Sequence, residues 1–161
     1  MEVKVSHVDH VKFSIQSRSH TILCDQPAEN GGEDSAMTPP ELLLASLGSC
    51  AAFYAVQYLK TRNLALSGVE VSVTADKLKQ PARLGNFRIH VACPVPLSEE
   101  QREGLMRSVH HCLVHNTLMA PPEIAIELTA KETAVLHAKV VGSRSTSAGP
   151  AGAQAAETSE R

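Results

Sequence analysis

The stretch that decides the fold is TPPELLLASLGSCAAFYAVQYLK, residues 38–60. Its first four residues carry the signals of a helix N-terminus. Thr38 and Glu41 have the spacing of a capping box, and Pro39 stands at the first helical position, where proline is favoured. The apolar run that follows predicts a helix that continues to about Arg62. This long helix is the element around which the rest of the chain has to pack.

The middle of the predicted helix combines high hydropathy with small residues. Residues 42–59 just reach the length needed to cross a bilayer, but they include polar side chains such as Gln57. We therefore interpret the segment as a helix buried within a globular protein. Small residues from Gly48 to Ala52 surround Cys50. They leave room either for another helix to pack closely or for a small ligand beside the thiol, and the segment alone leaves both interpretations open.

Alternating apolar and polar residues predict β-strands on both sides of this helix. The first quarter of the chain has this pattern and ends in a polar loop at residues 27–37. After the helix, residues 69–75 and 87–93 alternate in the same way, with the turn-rich KLKQPARLGN, residues 77–86, between them. Each of these strands is expected to pack one face on a core.

A second helix and a last strand follow. Ser98 and Gln101 form a second capping box, and the apolar stripe after them continues to Asn116 with Cys112 on its inward face. PPEIAIELTAKETAVL, residues 121–136, then predicts a strand. Its alternating apolar side chains are Ile124, Ile126 and Leu128.

This order of elements predicts one α+β domain, residues 1–141, with a largely antiparallel sheet. Residues 142–161 have no large apolar side chain and are rich in Ser, Ala and Gly, which predicts a disordered tail. A first helix that is apolar on all sides needs more cover than one small sheet provides. That need favours dimerisation.

Charge and the N-terminus narrow the possible partners. The chain has 161 residues and a formal net charge of −2, with Lys and Arg scattered along it. This distribution argues against nucleic acid and against a membrane surface, and favours a small molecule or another copy of the chain. The N-terminus lacks the features of a signal peptide, so we expect a cytoplasmic protein. In that compartment a disulfide is typically catalytic or sensing rather than structural.

The four cysteines divide into two groups. Cys24 and Cys93 continue apolar strands and are interpreted as small buried residues. Cys50 and Cys112 lie on two apolar helices, and they could form a disulfide if those helices pack side by side. Such a pair is typical of a thiolate that attacks an O–O bond, becomes a sulfenic acid and is captured by the second thiol. This chemistry requires a cation, a histidine or a helix N-terminus near Cys50 to keep it ionised.

Two segments together resemble a known family. DQPAENGGEDSAMTPPELLLASLGSC, residues 25–50, with the cysteine of VHHCLVHNTL, residues 109–118, resembles the OsmC/Ohr family of thiol-dependent hydroperoxide reductases. The resemblance covers roughly residues 1–135. It implies an OsmC/Ohr-like α+β fold, in which a largely antiparallel sheet is wrapped around two long helices of an intertwined homodimer. The active sites of such a dimer lie at the subunit interface.

The resemblance also implies an activity. Cys50 would be the peroxidatic cysteine and Cys112 the resolving one, and together they would reduce organic hydroperoxides. The family implies no metal and no organic cofactor. A dithiol of the lipoyl or thioredoxin type would restore the reduced enzyme.

Two positions depart from the family pattern. Its best-studied members have a glutamate ten positions before the reactive cysteine, where this chain has Pro40, and Glu41 stands one position later. They also have an arginine in the N-terminal β region that pairs with the glutamate and helps to hold the thiolate. The matching place here falls near His10 or Lys12, and the arginine of that region is Arg18. Glu41 and Arg18 are therefore candidates for the charged partners of the thiolate.

Two alternatives belong to other classes of function. The same dimer could bind a small apolar or thiol ligand around Cys50 without turnover. A zinc site could use Cys112 with the histidine cluster from His110 to His115, although Cys112 projects about 100° away from His111 on a helix. A histidine beside Cys112 could instead lower its pKa or shuttle a proton.

Overall fold

The computed structural model describes residues 1–130. Residues 1–124 form one compact unit, and residues 125–130 contain neither helix nor strand. The predicted tail, residues 142–161, lies outside the described residues.

The first three strands form an antiparallel meander in the order β1 (Lys4–Asp9), β2 (Lys12–Ser17) and β3 (His20–Cys24). Two tight turns connect them, with His10 and Arg18 in the left-handed region at φ values of 44° and 53°. The prediction of strands in the first quarter of the chain is confirmed. No helix of the described chain packs extensively on this sheet. The sheet therefore exposes several apolar side chains, namely Val3, Val5, Val8, Ile22 and Leu23.

Helix α1 (Pro39–Thr61) has the capping box that the sequence predicts. The backbone N–H of Thr38 donates to Glu41 Oε2 at 2.7 Å, and the Thr38 hydroxyl accepts from the Glu41 N–H at 3.5 Å. The helix ends one residue before the predicted end. By length and composition alone it could cross a membrane, but here it packs against the strand and the helix that follow it in the chain. Only 33% of its most apolar window is buried within the chain.

Strands β4 (Glu70–Lys79) and β5 (Ala82–Ala92) form an antiparallel hairpin. The prediction that residues 77–86 form the turn between these strands is wrong. Strand pairing continues to Lys79 and Ala82, so the turn consists of Gln80 and Pro81. The register shifts opposite Asn86, which has a φ of 54°. A bulge of this kind uses residues that otherwise signal turns, so it is easily mistaken for a loop.

Helix α2 (Glu99–Val109) begins at its predicted capping box, but the predicted continuous helix breaks at its C-terminus. A short helix α3 (Leu113–Met119) follows, with Cys112 as its N-cap residue. Cys112 Sγ accepts a hydrogen bond from the His115 backbone N–H at 3.3 Å, in place of the usual capping oxygen. The prediction that Cys112 lies inside a helix is therefore wrong.

The predicted last strand is also absent from the part of the chain that the structure describes. Residues 121–130 carry no strand, and Ile124, Ile126 and Leu128 are 83%, 92% and 93% exposed. A segment with alternating apolar and polar residues forms a strand only where it can pair with the edge of a sheet. Within residues 1–130 this segment finds no such edge.

The core of the chain lies where α1 crosses α2 and packs on β4 and β5. Ala51, Ala55 and Leu59 of α1 are completely buried there. Gly104 of α2 lies directly against the ring of Tyr58, which also carries the Arg62 guanidinium 3.8 Å above it. This crossing sets the position of α1 relative to the end of α2.

Gly104→Ala should weaken the packing of α2 against α1. A Cβ at this position would lie 2.8 Å from Tyr58 Cζ, closer than carbon atoms pack, so the buried ring has to shift. We expect the free energy of unfolding, measured by urea denaturation, to fall by about 1–3 kcal/mol, which outweighs alanine's better helix propensity. Arg107→Ala, on the exposed side of the same helix, is the control and should change stability by less than about 0.5 kcal/mol. Equal stabilities for the two variants would contradict the close contact.

Candidate active site

Cys50 and Cys112 meet at the junction of α2 and α3. Cys50 lies midway along α1 and is partly exposed, whereas Cys112 is fully buried. Both are free thiols, and each alters the pKa of the other. The structure therefore brings the two predicted thiols together, with one in a helix and the other at a helix cap.

The first turn of α3 influences the pKa of Cys50. Burial is the largest single influence on the pKa of Cys50 and raises it. The hydrogen bonds from Cys112 and from the backbone N–H groups of Val114 and Leu113 act in the opposite direction and together outweigh burial, so the pKa of Cys50 lies below its ordinary value. The first amides of a helix have no partner within it, which leaves them available to a thiolate.

Cys112 has the opposite tendency. Burial raises the pKa of Cys112, and its hydrogen bond to Cys50 and the charge of a Cys50 thiolate raise it further. The backbone N–H of His115 opposes these effects without overcoming them. Cys50 is thus the more acidic thiol of the pair and Cys112 the less acidic one.

The two predicted charged partners do not contact this pair within the chain. The Glu41 carboxylate accepts hydrogen bonds from the Thr38 N–H and hydroxyl, at 2.7 and 2.8 Å, and these bonds hold the pKa of Glu41 below its usual value. Arg18 is exposed in the turn between β2 and β3. Across residues 1–130, no charged side chain contributes to the pKa of Cys50. A catalytic role for Glu41 or Arg18 stays a prediction.

The two residues nearest to the family's arginine position are also engaged elsewhere. His10 pairs with Asp9 at 3.0 Å in the turn between β1 and β2. Lys12 forms an ion pair with Glu33, and that hydrogen bond is the main reason that the pKa of Lys12 is raised. Lys12 thus joins β2 to the loop before α1, whereas His10 contacts its neighbour within the turn.

Asp25 is a buried charged residue that the sequence analysis missed. It is 1% exposed and accepts hydrogen bonds from the Ser35 N–H at 3.1 Å and the Ser35 hydroxyl at 2.8 Å. These bonds hold the pKa of Asp25 well below its usual range. The carboxylate joins the two ends of the loop that leads into α1. In the sequence, an Asp followed by Gln26 and Pro27 is only a weak signal for such a turn.

An apolar cavity of about 1050 Å³ lies next to the junction that carries Cys112. Its walls come from α1, β5, α2 and α3, and His110 and His115 line it on either side of Cys112 in the sequence. Apolar wall residues include Leu43, Leu47, Phe87, Ile89 and Leu105. A cavity of this kind suits an apolar small molecule.

The small residues of α1 serve mainly to pack its neighbours closely. A Cβ on Gly48 would lie 3.1 Å from the side chain of Val73 on β4, and Ala51 and Ala55 are buried in the core. Of the two interpretations that the sequence left open, close packing therefore describes these positions.

The histidine cluster does not form a metal site in the described chain. The rings of His110 and His115 stack edge to face with centroids 5.3 Å apart. Within residues 1–130 no group of three or more His, Cys, Asp or Glu side chains is placed to hold a metal ion. The geometry gives the zinc alternative no support.

Two thiols of different acidity beside an apolar cavity are typical of a dithiol redox site. A family model described as OsmC-like protein matches residues 32–127, and the chain belongs to this family. The resemblance found in the sequence is confirmed. Family membership links the site with redox chemistry related to peroxides.

Solved structures share the fold at low sequence identity. A Psychrobacter arcticus protein named for osmotic stress and detoxification responses is 21% identical, with a TM-score of 0.66 over 71% of this chain and 85% of its own. An OsmC-like protein from Mycoplasma pneumoniae is 19% identical, with a TM-score of 0.65 over 74% and 87%.

A Vibrio cholerae protein named for organic hydroperoxide resistance is 17% identical, with a TM-score of 0.54 over 75% of this chain and 86% of its own. It was crystallised with captopril in one of its active sites. These structures establish the OsmC-like fold. The comparison with curated proteins gave no match.

The division of protonation within the pair can be measured. The rate of Cys50 alkylation by iodoacetamide, followed by peptide mass spectrometry as a function of pH, should give a midpoint below the ordinary cysteine value of about 8.5. Cys112→Ala removes a hydrogen bond to the thiolate and should move the midpoint upward. Cys93→Ser is the control, because Cys93 does not contribute to the pKa of Cys50. A midpoint that is the same with and without Cys112 would contradict the assigned hydrogen bond.

Proposed function

We propose that the protein is a thiol-dependent peroxidase that reduces organic hydroperoxides through Cys50 and Cys112. The Cys50 thiolate attacks the terminal oxygen of the hydroperoxide, an S–O bond forms, the O–O bond breaks, and the alkoxide takes a proton to leave as the alcohol. Cys112 then attacks the sulfenic sulfur, so that an S–S bond forms and water leaves. A cytoplasmic dithiol of the lipoyl or thioredoxin type reduces the disulfide and completes the cycle.

The observation that carries this proposal is the packing of α3, with Cys112 as its N-cap residue, on α1, so that the two thiols influence each other. It favours ionisation of the thiol that has to attack, and it leaves the buried partner protonated until it is needed. The same contact puts the resolving sulfur next to the place where the sulfenic acid forms. The apolar cavity beside the junction favours an organic hydroperoxide over hydrogen peroxide.

One equivalent of cumene hydroperoxide should oxidise the reduced protein within seconds. We expect mass spectrometry to show the loss of two thiols and a new Cys50–Cys112 disulfide. Cys112→Ser should stop at a Cys50 sulfenic acid that a dimedone probe traps, and Cys50→Ser should not react. Cys93→Ser, which keeps the pair, is the matched control and should react like the unmodified chain.

Thiols that survive one equivalent of hydroperoxide for minutes would overturn the peroxidase. Retention of a small apolar or thiol ligand by that unreacted protein would then favour the non-catalytic binding alternative.

We further propose that the protein is a homodimer, because several apolar surfaces lack cover within one chain. The sheet of β1–β3 exposes Val3 and Val5 at 56% and 57%, and Phe53 on α1 is 57% exposed. Phe53 packs edge to face on Tyr54 and presents a bare aromatic surface. Large exposed apolar surfaces mark interaction sites, and a second copy would cover the sheet and the helix together.

Phe53→Asp should therefore dissociate the dimer. Analytical ultracentrifugation at micromolar concentration should give twice the chain mass for the unmodified protein and the single-chain mass for the variant, because the charge cannot be desolvated in an apolar interface. Arg107→Asp, an exposed change on α2, is the control and should remain dimeric. A monomeric unmodified protein would contradict the dimer.

A further inference from the structure

We propose that His115 is the proton carrier for the resolving step, taking the proton of the Cys112 thiol and returning it to the oxygen that leaves Cys50. This inference rests on the proposed function, because it assigns a residue to the second half of that reaction. It starts from a problem that the site poses. Cys112 has to lose its proton to attack, yet it is fully buried and its pKa is raised.

The position of His115 suits this task. Its backbone N–H donates to Cys112 Sγ at 3.3 Å, so the residue lies on the same turn as the thiol. His115 also lines the apolar cavity, so its ring borders the space beside the junction, whereas Cys112 is fully buried. Among the described residues that line this cavity there is no Asp or Glu, which leaves histidine as the residue type able to accept a proton near neutral pH.

The contacts of the ring define which nitrogen is free. His115 Nδ1 lies 3.2 Å from Asn116 Oδ1, and an amide oxygen can only accept, so Nδ1 carries the hydrogen. That leaves Nε2 with a lone pair. His110, whose ring centroid is 5.3 Å away, limits how the imidazole can turn. Asn116 and His110 are therefore positioning residues for His115.

The proton balance of the step is closed. Cys112 gives its proton to His115 Nε2, and the resulting thiolate attacks the Cys50 sulfur. The S–O bond of the sulfenic acid breaks, and the departing hydroxide takes the proton from the imidazolium to leave as water. No charge accumulates, and His115 is returned to its neutral form.

Other groups that titrate or carry charge face the same cavity. They are Arg102 on α2, His110 at the C-cap of α2, Arg83 and His90 on β5, and Cys93 just after β5. His111 is the useful comparison, since it directly precedes Cys112 but is exposed and does not line the cavity.

The test uses an aromatic disulfide, 5,5′-dithiobis(2-nitrobenzoate), so that it does not depend on peroxide chemistry. In the full chain carrying Cys24→Ala and Cys93→Ser, Cys50 attacks the reagent and releases one thionitrobenzoate. Cys112 then attacks the mixed disulfide and releases a second one. Stopped-flow absorbance separates the two phases.

We expect His115→Ala to leave the first phase within about twofold and to slow the second by roughly 10²-fold. Added imidazole should restore the second phase, which a purely structural loss would not allow. The backbone N–H to Cys112 Sγ remains in this variant. His111→Ala is the matched control and should keep both rates.

A second phase that is unchanged in His115→Ala, equally slow in His111→Ala or insensitive to imidazole overturns the role of His115. A His115-dependent second phase in a protein whose thiols resist hydroperoxide overturns the peroxidase alone. The two failures are thus distinguishable.

Discussion

The packing of α3 on α1, which brings Cys112 close to Cys50, is the constraint on which the candidate site depends. It exists because a helix breaks at the right place. α2 stops at Val109, and the chain turns so that Cys112 caps α3 and the first amides of that helix point at Cys50. The pKa of Cys50 is therefore lowered, while that of the buried Cys112 is raised. A continuous helix would have used those amides internally and left the thiolate without donors.

Backbone amides take over a task that a charged side chain usually performs. The described chain brings no cation to Cys50, and Glu41 is occupied with capping α1. Amide donors are fixed by the fold and need no counter-ion, so a thiolate can form without a guanidinium close by.

The local signals in the sequence were sufficient for the parts of the fold that depend on neighbouring residues. The capping boxes at Thr38 and Ser98 fix both helix starts, and period-two alternation finds β1 to β5. The failures concern features set by distant partners. The bulge at Asn86 resembles a turn, and the strand predicted around Ile126 has no edge to join within the described residues.

The candidate site, too, could be predicted only in part from the sequence. Cys50 and Cys112 could be selected from residue type and surroundings, but their contact depends on how α1 crosses α2, where Gly104 admits the ring of Tyr58. Because the apolar stripe of α2 continues past Val109, periodicity alone extends the helix through Cys112 and hides the cap. The capping sulfur is a weak acceptor that propensity scales do not count. A cysteine at the start of a short helix, such as Cys112, therefore does not by itself indicate a reactive site. It does so only when another element of the fold places a second thiol beside the first amides of that helix.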